Sequence, residues 1–205
     1  MKILSHRGFW RRAEEKNTLG AFEFSRDNGF GTETDVRDLN GRLVISHDIP
    51  NQDALDLHSF LEVFAGTDLP VALNIKADGL SSVLEKAVSE YDLKNAFVFD
   101  MSVPDMRSYF KTTLRVFGRV SEVEPVVAWV DSCGGIWLDS FESTWYTPDD
   151  VRKLLDLNKH VCIVSPELHS REYEPVWHAL KGLNIYENLM LCTDHPDKAS
   201  VFFGV

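Results

Sequence analysis

The feature that most constrains the fold of this chain is the regular alternation of short apolar segments with amphipathic ones. Eight segments are rich in β-branched, aromatic or leucine side chains, which is typical of strands. They span residues 2–5, 31–36, 71–75, 96–100, 114–120, 135–139, 160–164 and 189–193. Helical patterns lie between them, and the weakest covers residues 124–130. Strands that alternate with helices form parallel βαβ units, and eight such units close into a barrel.

The sequence therefore predicts an α/β fold, a single (β/α)8 TIM barrel in which residues 1–205 form one domain. An open doubly wound sheet is the structural alternative, but it normally uses fewer strands, and no glycine-rich phosphate-binding turn follows the first strand. A ninth extended segment, residues 42–46, is predicted to pair with residues 32–37 as a hairpin, because Asn40-Gly41 between them is a strong turn signal.

Charge and composition narrow the classes of partner. The formal net charge is −11, which disfavours binding to nucleic acid because an acidic surface repels polyanions. A small phosphate ligand remains compatible with this charge when a bound cation reverses the local field. No apolar run approaches the length of a membrane span, and the N-terminus lacks a signal-peptide pattern. The cysteines Cys133, Cys162 and Cys192 are widely spaced, so we expect buried free thiols and a cytoplasmic protein.

Polar side chains gather where the predicted strands end, and barrel enzymes carry their active sites at those ends. The residues at these positions are His6, Arg7, Glu33, Asp35, His47, Asn74, Lys76, Asp139, Glu167 and Asp194. Asp139, Glu167 and Trp137 are candidates for lining a pocket, although a place in the barrel core is the preferred interpretation for Trp137. The other histidines, among them His169, are assigned structural roles.

Glu33 and Asp35 lie two residues apart on a strand, so their side chains share one face. If that face lines the barrel, the two carboxylates repel each other unless a cation or a shared proton relieves them. Oxygen ligands favour a hard cation such as Mg²⁺, Ca²⁺ or Mn²⁺. The alternative is a surface strand whose other face, with Thr32, Thr34 and Val36, points inward.

His6 and His47 each follow an apolar run, and two histidines can serve as general acid and general base near neutral pH. Arg7 suits a bidentate contact with phosphate, and Lys76 is a second candidate for such a contact. Taken singly, each of these residues is more often a structural or surface residue.

In combination these residues resemble a known family. The matching segments are His6-Arg7-Gly8, Asn17-Thr18, Ala21-Phe22, Glu33-Thr34-Asp35-Val36, Asn40-Gly41 and His47-Asp48, with Thr193-Asp194-His195-Pro196 near the end of the chain. Their order and spacing resemble the glycerophosphodiester phosphodiesterases of the phospholipase-C-like phosphodiesterase superfamily. Asn17-Thr18 and Ala21-Phe22 form one motif, and the five linked motifs within the first 48 residues make the resemblance specific. The resemblance extends over the chain with a weaker middle.

The resemblance implies a TIM barrel that hydrolyses a glycerophosphodiester, or a similar small phosphodiester, to a phosphomonoester and an alcohol. It implies that His6 and His47 are the acid–base pair and that Arg7 and Lys76 contact the phosphate. It also implies that Glu33 and Asp35 are ligands of a divalent metal ion. The oligomeric state is not implied by it.

Two departures from the family pattern affect this expectation. The third metal-ligating carboxylate of the family is replaced by Asn74, which offers a carbonyl oxygen without charge. The inserted subdomain that usually follows the His-Asp motif is absent. Two alternatives therefore stay open, a degenerate barrel that binds phosphate without catalysis and a metal-dependent barrel enzyme of another class, such as a sugar-phosphate lyase or isomerase.

Overall fold

The computed structural model describes residues 1–205, and strands and helices follow one another in the predicted alternation. The ten strands are β1 (Lys2–His6), β2 (Gly31–Leu39), β3 (Arg42–Ile45), β4 (Leu55–Asp56), β5 (Val71–Ile75), β6 (Ala96–Phe99), β7 (Arg115–Val120), β8 (Gly135–Leu138), β9 (His160–Val164) and β10 (Leu189–Thr193). The seven α-helices are α1 (Leu19–Asp27), α2 (Leu57–Phe64), α3 (Ser81–Ser89), α4 (Val103–Tyr109), α5 (Pro148–Leu155), α6 (Glu174–Leu180) and α7 (Pro196–Phe203).

Eight of the strands close into a parallel barrel. The order around it is β1, β2, β5, β6, β7, β8, β9 and β10, and β1 pairs in parallel with both β2 and β10. The first and last strands of the chain are thus neighbours, which confirms the predicted (β/α)8 architecture. Because the strands are parallel, all of their carboxyl ends open at the same mouth of the barrel.

Large apolar side chains fill the inside of the barrel. Ten buried residues form this interior cluster, among them Phe97, Phe117 and Trp137, and Trp137 stacks on Phe99 with 3.8 Å between ring centroids. Two larger clusters lie between the strands and the surrounding helices. Because barrel strands are buried on both faces, they appear in the sequence as continuous apolar runs. Trp137 lies in the barrel core, as preferred from the sequence.

The predicted hairpin forms next to the barrel. β3 pairs antiparallel with β2, from Leu39 opposite Arg42 to Val36 opposite Ile45. Asn40 and Gly41 make the turn with positive φ angles of 50° and 79°. Glycine and asparagine tolerate this left-handed region best, which is why the Asn-Gly pair identifies the turn.

The helix expected at residues 124–130 is wrong. The connection between β7 and β8 consists of turns and a single 3-10 turn at Val130–Ser132. A tight turn in which Ser121 and Glu124 exchange backbone hydrogen bonds begins the connection, and the Glu124 carboxylate accepts a hydrogen bond from Arg119. Pro125 follows at once, and a proline disfavours helical geometry in the residue before it. The local turn therefore outcompetes the weak helical periodicity.

Candidate active site

His6 is the last residue of β1 and is held by a carboxylate from the far end of the chain. Its Nδ1 lies 2.7 Å from Oδ1 of Asp194, which directly follows β10. The two residues meet because β1 and β10 are neighbours in the barrel. Burial lowers the pKa of His6 below its ordinary value, although the hydrogen bond and charge of Asp194 partly offset this effect. Burial also acts to raise the pKa of Asp194, but His6 and Lys16 outweigh it and keep that pKa below its usual range.

The strand register decides which way Glu33 and Asp35 point. Glu33 pairs with Ala72, which belongs to the interior cluster, and Asp35 pairs with Asn74. Both carboxylates therefore face the inside of the barrel, and the surface-strand alternative is wrong. Thr34 points the other way, but it is buried as well. Both faces of β2 are covered near its carboxyl end, so both acids are almost inaccessible to bulk water.

Asp35 is neutralised by its neighbours in the structure. Its Oδ2 lies 3.0 Å from Nε of Arg7 and accepts a hydrogen bond of 3.0 Å from the Asn17 amide. Its Oδ1 lies 3.5 Å from Nζ of Lys76. Asn17 is fixed in turn by the Thr34 hydroxyl, which donates to its carbonyl oxygen at 2.9 Å. A fully buried carboxylate is costly unless it is paired, and these contacts supply two cations and one amide donor.

The position of Arg7 depends on an unusual backbone conformation. Arg7 and Gly8 have φ angles of 60° and 86°, both in the left-handed region. The Arg7 amide donates to the Glu33 carbonyl at 3.0 Å, and the Arg7 carbonyl accepts from Asn17 at 2.9 Å. Only glycine fits after Arg7, since a Cβ there would lie 2.7 Å from Cβ of Ala21. Strain of this kind is typical of functional turns, because it aims one side chain at a defined point.

Glu33 has no cationic partner within salt-bridge distance other than His6, whose Nε2 lies 3.9 Å from its Oε2. Burial and the nearby charge of Asp35 raise the pKa of Glu33 to about 8, even though Arg7, Lys76 and the Asn74 amide act in the opposite direction. Without a cation, the protein therefore relieves the repulsion between its two acids by keeping Glu33 protonated at neutral pH.

Three buried oxygens at this point have no hydrogen-bond partner, although one of them, on Asp35, has the Lys76 ammonium nitrogen 3.5 Å away. They are Oε2 of Glu33, Oδ1 of Asp35 and Oδ1 of Asn74. Buried polar atoms are nearly always satisfied, so three such oxygens on neighbouring strands fit the ligand set of a hard cation. No group of three or more His, Cys, Asp or Glu side chains is arranged to hold a metal ion. The donor set that fits is thus two carboxylates and one amide carbonyl, which suits Mg²⁺ or Ca²⁺ better than zinc.

Six of the seven predicted site residues line one cavity of about 320 Å³ at the mouth of the barrel. They are His6, Arg7, Glu33, His47, Asn74 and Lys76. The seventh, Asp35, is completely buried and reaches the others through Arg7 and Lys76. His47 is the most exposed of the set and pairs with Asp48 at 2.9 Å. The volume is at the small end of the range for ligand sites, which is roughly 300–1,000 Å³.

Of the three residues that the sequence suggested as pocket-lining, Asp139 and Trp137 line the cavity, whereas Glu167 does not. Asp194 stands at the end of a predicted strand, but nothing in its local sequence indicates that it pairs with His6. His169, for which the sequence favours a structural role, also lines the cavity. The signal that identifies His169 is its place two residues beyond Glu167, on the loop that follows β9.

Comparison with family models and with curated proteins finds no match. Solved structures do match over the whole chain. A glycerophosphodiester phosphodiesterase from Agrobacterium tumefaciens str. C58 aligns over 100% of this chain and 99% of its own, with a TM-score of 0.71 and 17% identity. An Oleispira antarctica phosphodiesterase, solved in complex with the product sn-glycerol-3-phosphate, covers 100% of this chain and 97% of its own, with a TM-score of 0.70 and 15% identity.

This chain has the fold of those phosphodiesterases. A dihydropteroate synthase from Anaplasma phagocytophilum matches less well, with a TM-score of 0.59 and 12% identity over 99% of this chain and 96% of that one. At such identities the likeness concerns the fold, and it agrees with the resemblance found in the sequence motifs. No helix of the structure has the length and apolar character that a membrane crossing requires.

Proposed function

We propose that this protein is a metal-dependent phosphodiesterase that hydrolyses a glycerophosphodiester, or a similar small phosphodiester, to a phosphomonoester and an alcohol. The observation that carries the proposal is the content of the cavity at the mouth of the barrel. A histidine–carboxylate pair, a second histidine, an arginine, a lysine and two oxygens without hydrogen-bond partners, on Glu33 and Asn74, meet there, and Asp35 lies behind them. Each group matches one requirement of phosphodiester hydrolysis, namely proton transfer, anion binding and charge neutralisation.

Glu33, Asp35 and Asn74 would hold the divalent cation, Mg²⁺ or Ca²⁺ and alternatively Mn²⁺. When bound, such a cation neutralises negative charge on a phosphate oxygen. Arg7 and Lys76 face the same space, and each can donate hydrogen bonds to the other phosphate oxygens. Cations on several sides of the phosphate stabilise the charge that develops in the transition state.

His6 is oriented for proton transfer by Asp194. A carboxylate that accepts from Nδ1–H leaves Nε2 of the neutral ring as the basic atom. That atom is directed towards Glu33 and the cavity. His47 supplies the second proton-transfer group, so that one histidine takes a proton from the nucleophile while the other protonates the leaving alcohol.

The nature of the substrate is supported by the similar proteins. The Oleispira enzyme is described with sn-glycerol-3-phosphate as its product, and the Agrobacterium enzyme is a glycerophosphodiester phosphodiesterase. Glycerophosphodiesters are the deacylated backbones of phospholipids, which would give this protein a role in lipid metabolism. A cytoplasmic location is part of the proposal and is supported by the three cysteines, which are buried and free.

The test is an assay of the chelator-stripped protein on bis-p-nitrophenyl phosphate and on glycerophosphocholine, with Mg²⁺, Mn²⁺ or Ca²⁺ added back. We expect turnover that returns with metal, and a loss of at least about a hundredfold in His6→Ala and His47→Ala. His178→Ala is the matched control, because His178 is exposed on α6 and lies outside the cavity. Near-full activity in either of the first two variants would contradict the assigned roles.

A second function is favoured by one specific observation, the neutral Asn74 in place of a third carboxylate. A weaker cation site would leave a degenerate barrel that binds phosphate compounds without catalysis. In that case sn-glycerol-3-phosphate would bind in calorimetry, while no diester would be hydrolysed with any of the three metals. Turnover of either diester excludes this alternative.

A further inference from the structure

A second histidine–carboxylate pair lies in the same cavity as His6 and Asp194. Asp139 follows β8, and its Oδ1 lies 2.7 Å from Nε2 of His169. The same oxygen accepts a hydrogen bond of 2.8 Å from the Ser140 amide. Asp139 is 5% exposed, whereas His169 is partly open to the cavity. The proposed hydrolysis uses His6 and His47, so it gives this second pair no role.

The turn that carries His169 is fixed on both sides. It is a 3-10 turn, Pro166–His169, that follows β9. Glu167 on this turn accepts hydrogen bonds from the Thr193 hydroxyl and, at 3.1 Å, from the Asp194 amide. Arg171, just beyond it, donates to the Ser140 hydroxyl at 2.7 Å. The turn therefore connects the His169–Asp139 pair with the His6–Asp194 pair. These contacts hold the backbone of His169 in place, as a helix or strand would.

The second pair faces the proposed cation site across the barrel. In the order of the strands, β8 lies four steps from β2 in either direction, so the two strands are diametrically opposite. Glu33 and Asp35 project from β2, while Asp139 directly follows β8. A phosphate held over Glu33 and Asn74 therefore has His169 on the far side of the cavity. An ester group that extends across the cavity would meet this wall.

Two carboxylates on this far wall each make their contacts through one oxygen only. Oδ1 of Asp139 pairs with His169, and Oδ1 of Asp100 lies 3.1 Å from Nη1 of Arg119. The Oδ2 atoms of both residues have no hydrogen-bond partner in the protein. Nδ1 of His169 likewise has no hydrogen-bond partner in the protein and is not among the buried unsatisfied atoms, so it is open to a ligand. Because Nε2–H is directed at Asp139, Nδ1 of the neutral ring is an acceptor.

An aromatic side chain completes the far wall. The ring of Phe141 lies 4.9 Å from the ring of His169 and 5.6 Å from the Arg119 guanidinium, measured between or to ring centroids. An apolar ring next to a free acceptor suits the carbon chain and hydroxyl group of a small alcohol. The cavity of about 320 Å³ has room for a phosphate and a group of that size.

We propose that His169, oriented by Asp139, is a specificity-determining residue that accepts a hydrogen bond from a hydroxyl group on an esterifying alcohol of the substrate. This inference rests on the proposed phosphodiesterase function. It selects hydroxyl-bearing alcohols over purely apolar ones. A site built to pair with a hydroxyl group disfavours analogues that lack one, since its acceptor then stays unpaired.

Three p-nitrophenyl phosphodiesters test the proposal, in which the second alcohol is 3-hydroxypropanol, propanol or choline. All release p-nitrophenol, so the leaving group is constant and an acid that assists a poor leaving group has no influence. The 3-hydroxypropyl group lacks a hydroxyl at carbon 2, which would be well placed to attack phosphorus itself. We expect kcat/KM for the hydroxypropyl ester to exceed that for the propyl ester by about tenfold, the effect of one hydrogen bond.

His169→Phe keeps a ring of similar size but removes both nitrogens, so we expect the ratio of the hydroxypropyl rate to the propyl rate to fall to about one. Asp139→Asn, which leaves His169 in place, is expected to reduce the preference in part. His178→Phe is the matched control on an exposed helix position and is expected to retain the full preference.

Equal rates on the hydroxypropyl and propyl esters in the wild-type protein would overturn the proposal without any variant. A preference of the wild-type protein for the choline ester would overturn the proposal as well. An equal loss of kcat/KM on all three esters in His169→Phe would also overturn it, because it would indicate a role in phosphate binding or in folding. Failure of the wild-type protein to release p-nitrophenol from any of the three would overturn the phosphodiesterase function itself and this inference with it.

Discussion

Replacing Glu33 with glutamine should make the metal-free protein more stable at alkaline pH. The two side chains have nearly the same shape, but glutamine cannot ionise. Glu33 is 2% exposed and faces Asp35, and these two conditions raise its pKa to about 8 from an ordinary value of 4.5. In the unfolded chain neither condition is present, so the unfolded carboxyl group ionises near the ordinary value.

The sign of the effect follows from this difference between the folded and unfolded states. Below pH 4.5 Glu33 is protonated in both states and does not oppose folding. Between pH 4.5 and about 8 unfolding releases its proton, so the free energy of unfolding falls as the pH rises. The slope is about 1.4 kcal/mol per pH unit, which amounts to about 5 kcal/mol over the whole interval.

Urea denaturation from pH 5 to pH 9, in the presence of chelator, measures the effect. The difference in unfolding free energy between Glu33→Gln and wild type should be near zero at pH 5 and should grow by several kcal/mol in favour of the variant by pH 9. Glu23→Gln, at an exposed position on α1, controls for the loss of one negative charge.

Saturating Mg²⁺ or Ca²⁺ should remove the decline in the wild-type protein, since an ionised Glu33 then has a cation to bind. The same addition should not stabilise the glutamine variant to a comparable degree. A difference between variant and wild type that stays constant with pH would refute the reasoning, because it would show that Glu33 ionises alike in the folded and unfolded states.

Three further substitutions probe the same site. Gly8→Ala should destabilise the fold by about 2–4 kcal/mol in urea denaturation, because residue 8 has a φ of 86° and a new Cβ would lie 2.7 Å from Cβ of Ala21. The control is Gly20→Ala on α1, where the new Cβ meets open space, and it should be neutral or slightly stabilising. Asp194→Asn should lower kcat about a hundredfold, with the fold intact by circular dichroism. It should also move the limb of the pH–rate profile that reports His6 to lower pH, since Asp194 raises the pKa of His6 against the effect of burial. Asn74→Glu should tighten Mg²⁺ or Ca²⁺ binding at least tenfold in calorimetry and should destabilise the metal-free protein, because it adds a third buried carboxylate.

The sequence predicted the barrel because its strands are buried on both faces. Such strands appear as continuous apolar runs, and turn residues such as Asn40-Gly41 mark where they end. The helix expected at residues 124–130 failed for a local reason. The hydrogen bonds between Ser121 and Glu124 form a turn, and Pro125 follows that turn directly. Both features favour a turn over a helix in this segment. A weak periodicity does not reveal such competition.

The location of the site was also predictable, since parallel strands bring their carboxyl ends to one mouth, and six predicted residues line the same cavity. Pairings between distant residues were not predictable. Asp194 and His6 are separated by 188 positions, and only the closure of the barrel makes them neighbours. His169 and Asp139 meet because β8 and β9 are adjacent, a fact that becomes useful only after the order of the strands is known. The catalytic and metal-binding roles of these residues stay predictions.

In the proposed function, the unequal surroundings of the two acids would connect cation binding with phosphate binding. Arg7 and Lys76 both pair with Asp35 in the structure, so a phosphate that entered the cavity would compete with Asp35 for them. A bound divalent cation would give Asp35 another positive partner and would leave the arginine and lysine free to turn towards the phosphate. Each ligand would then lower the cost of binding the other, and linkage requires that the two enhancements be equal. The neutral Asn74 would strengthen this dependence, because the phosphate would then supply part of the negative charge that holds the cation.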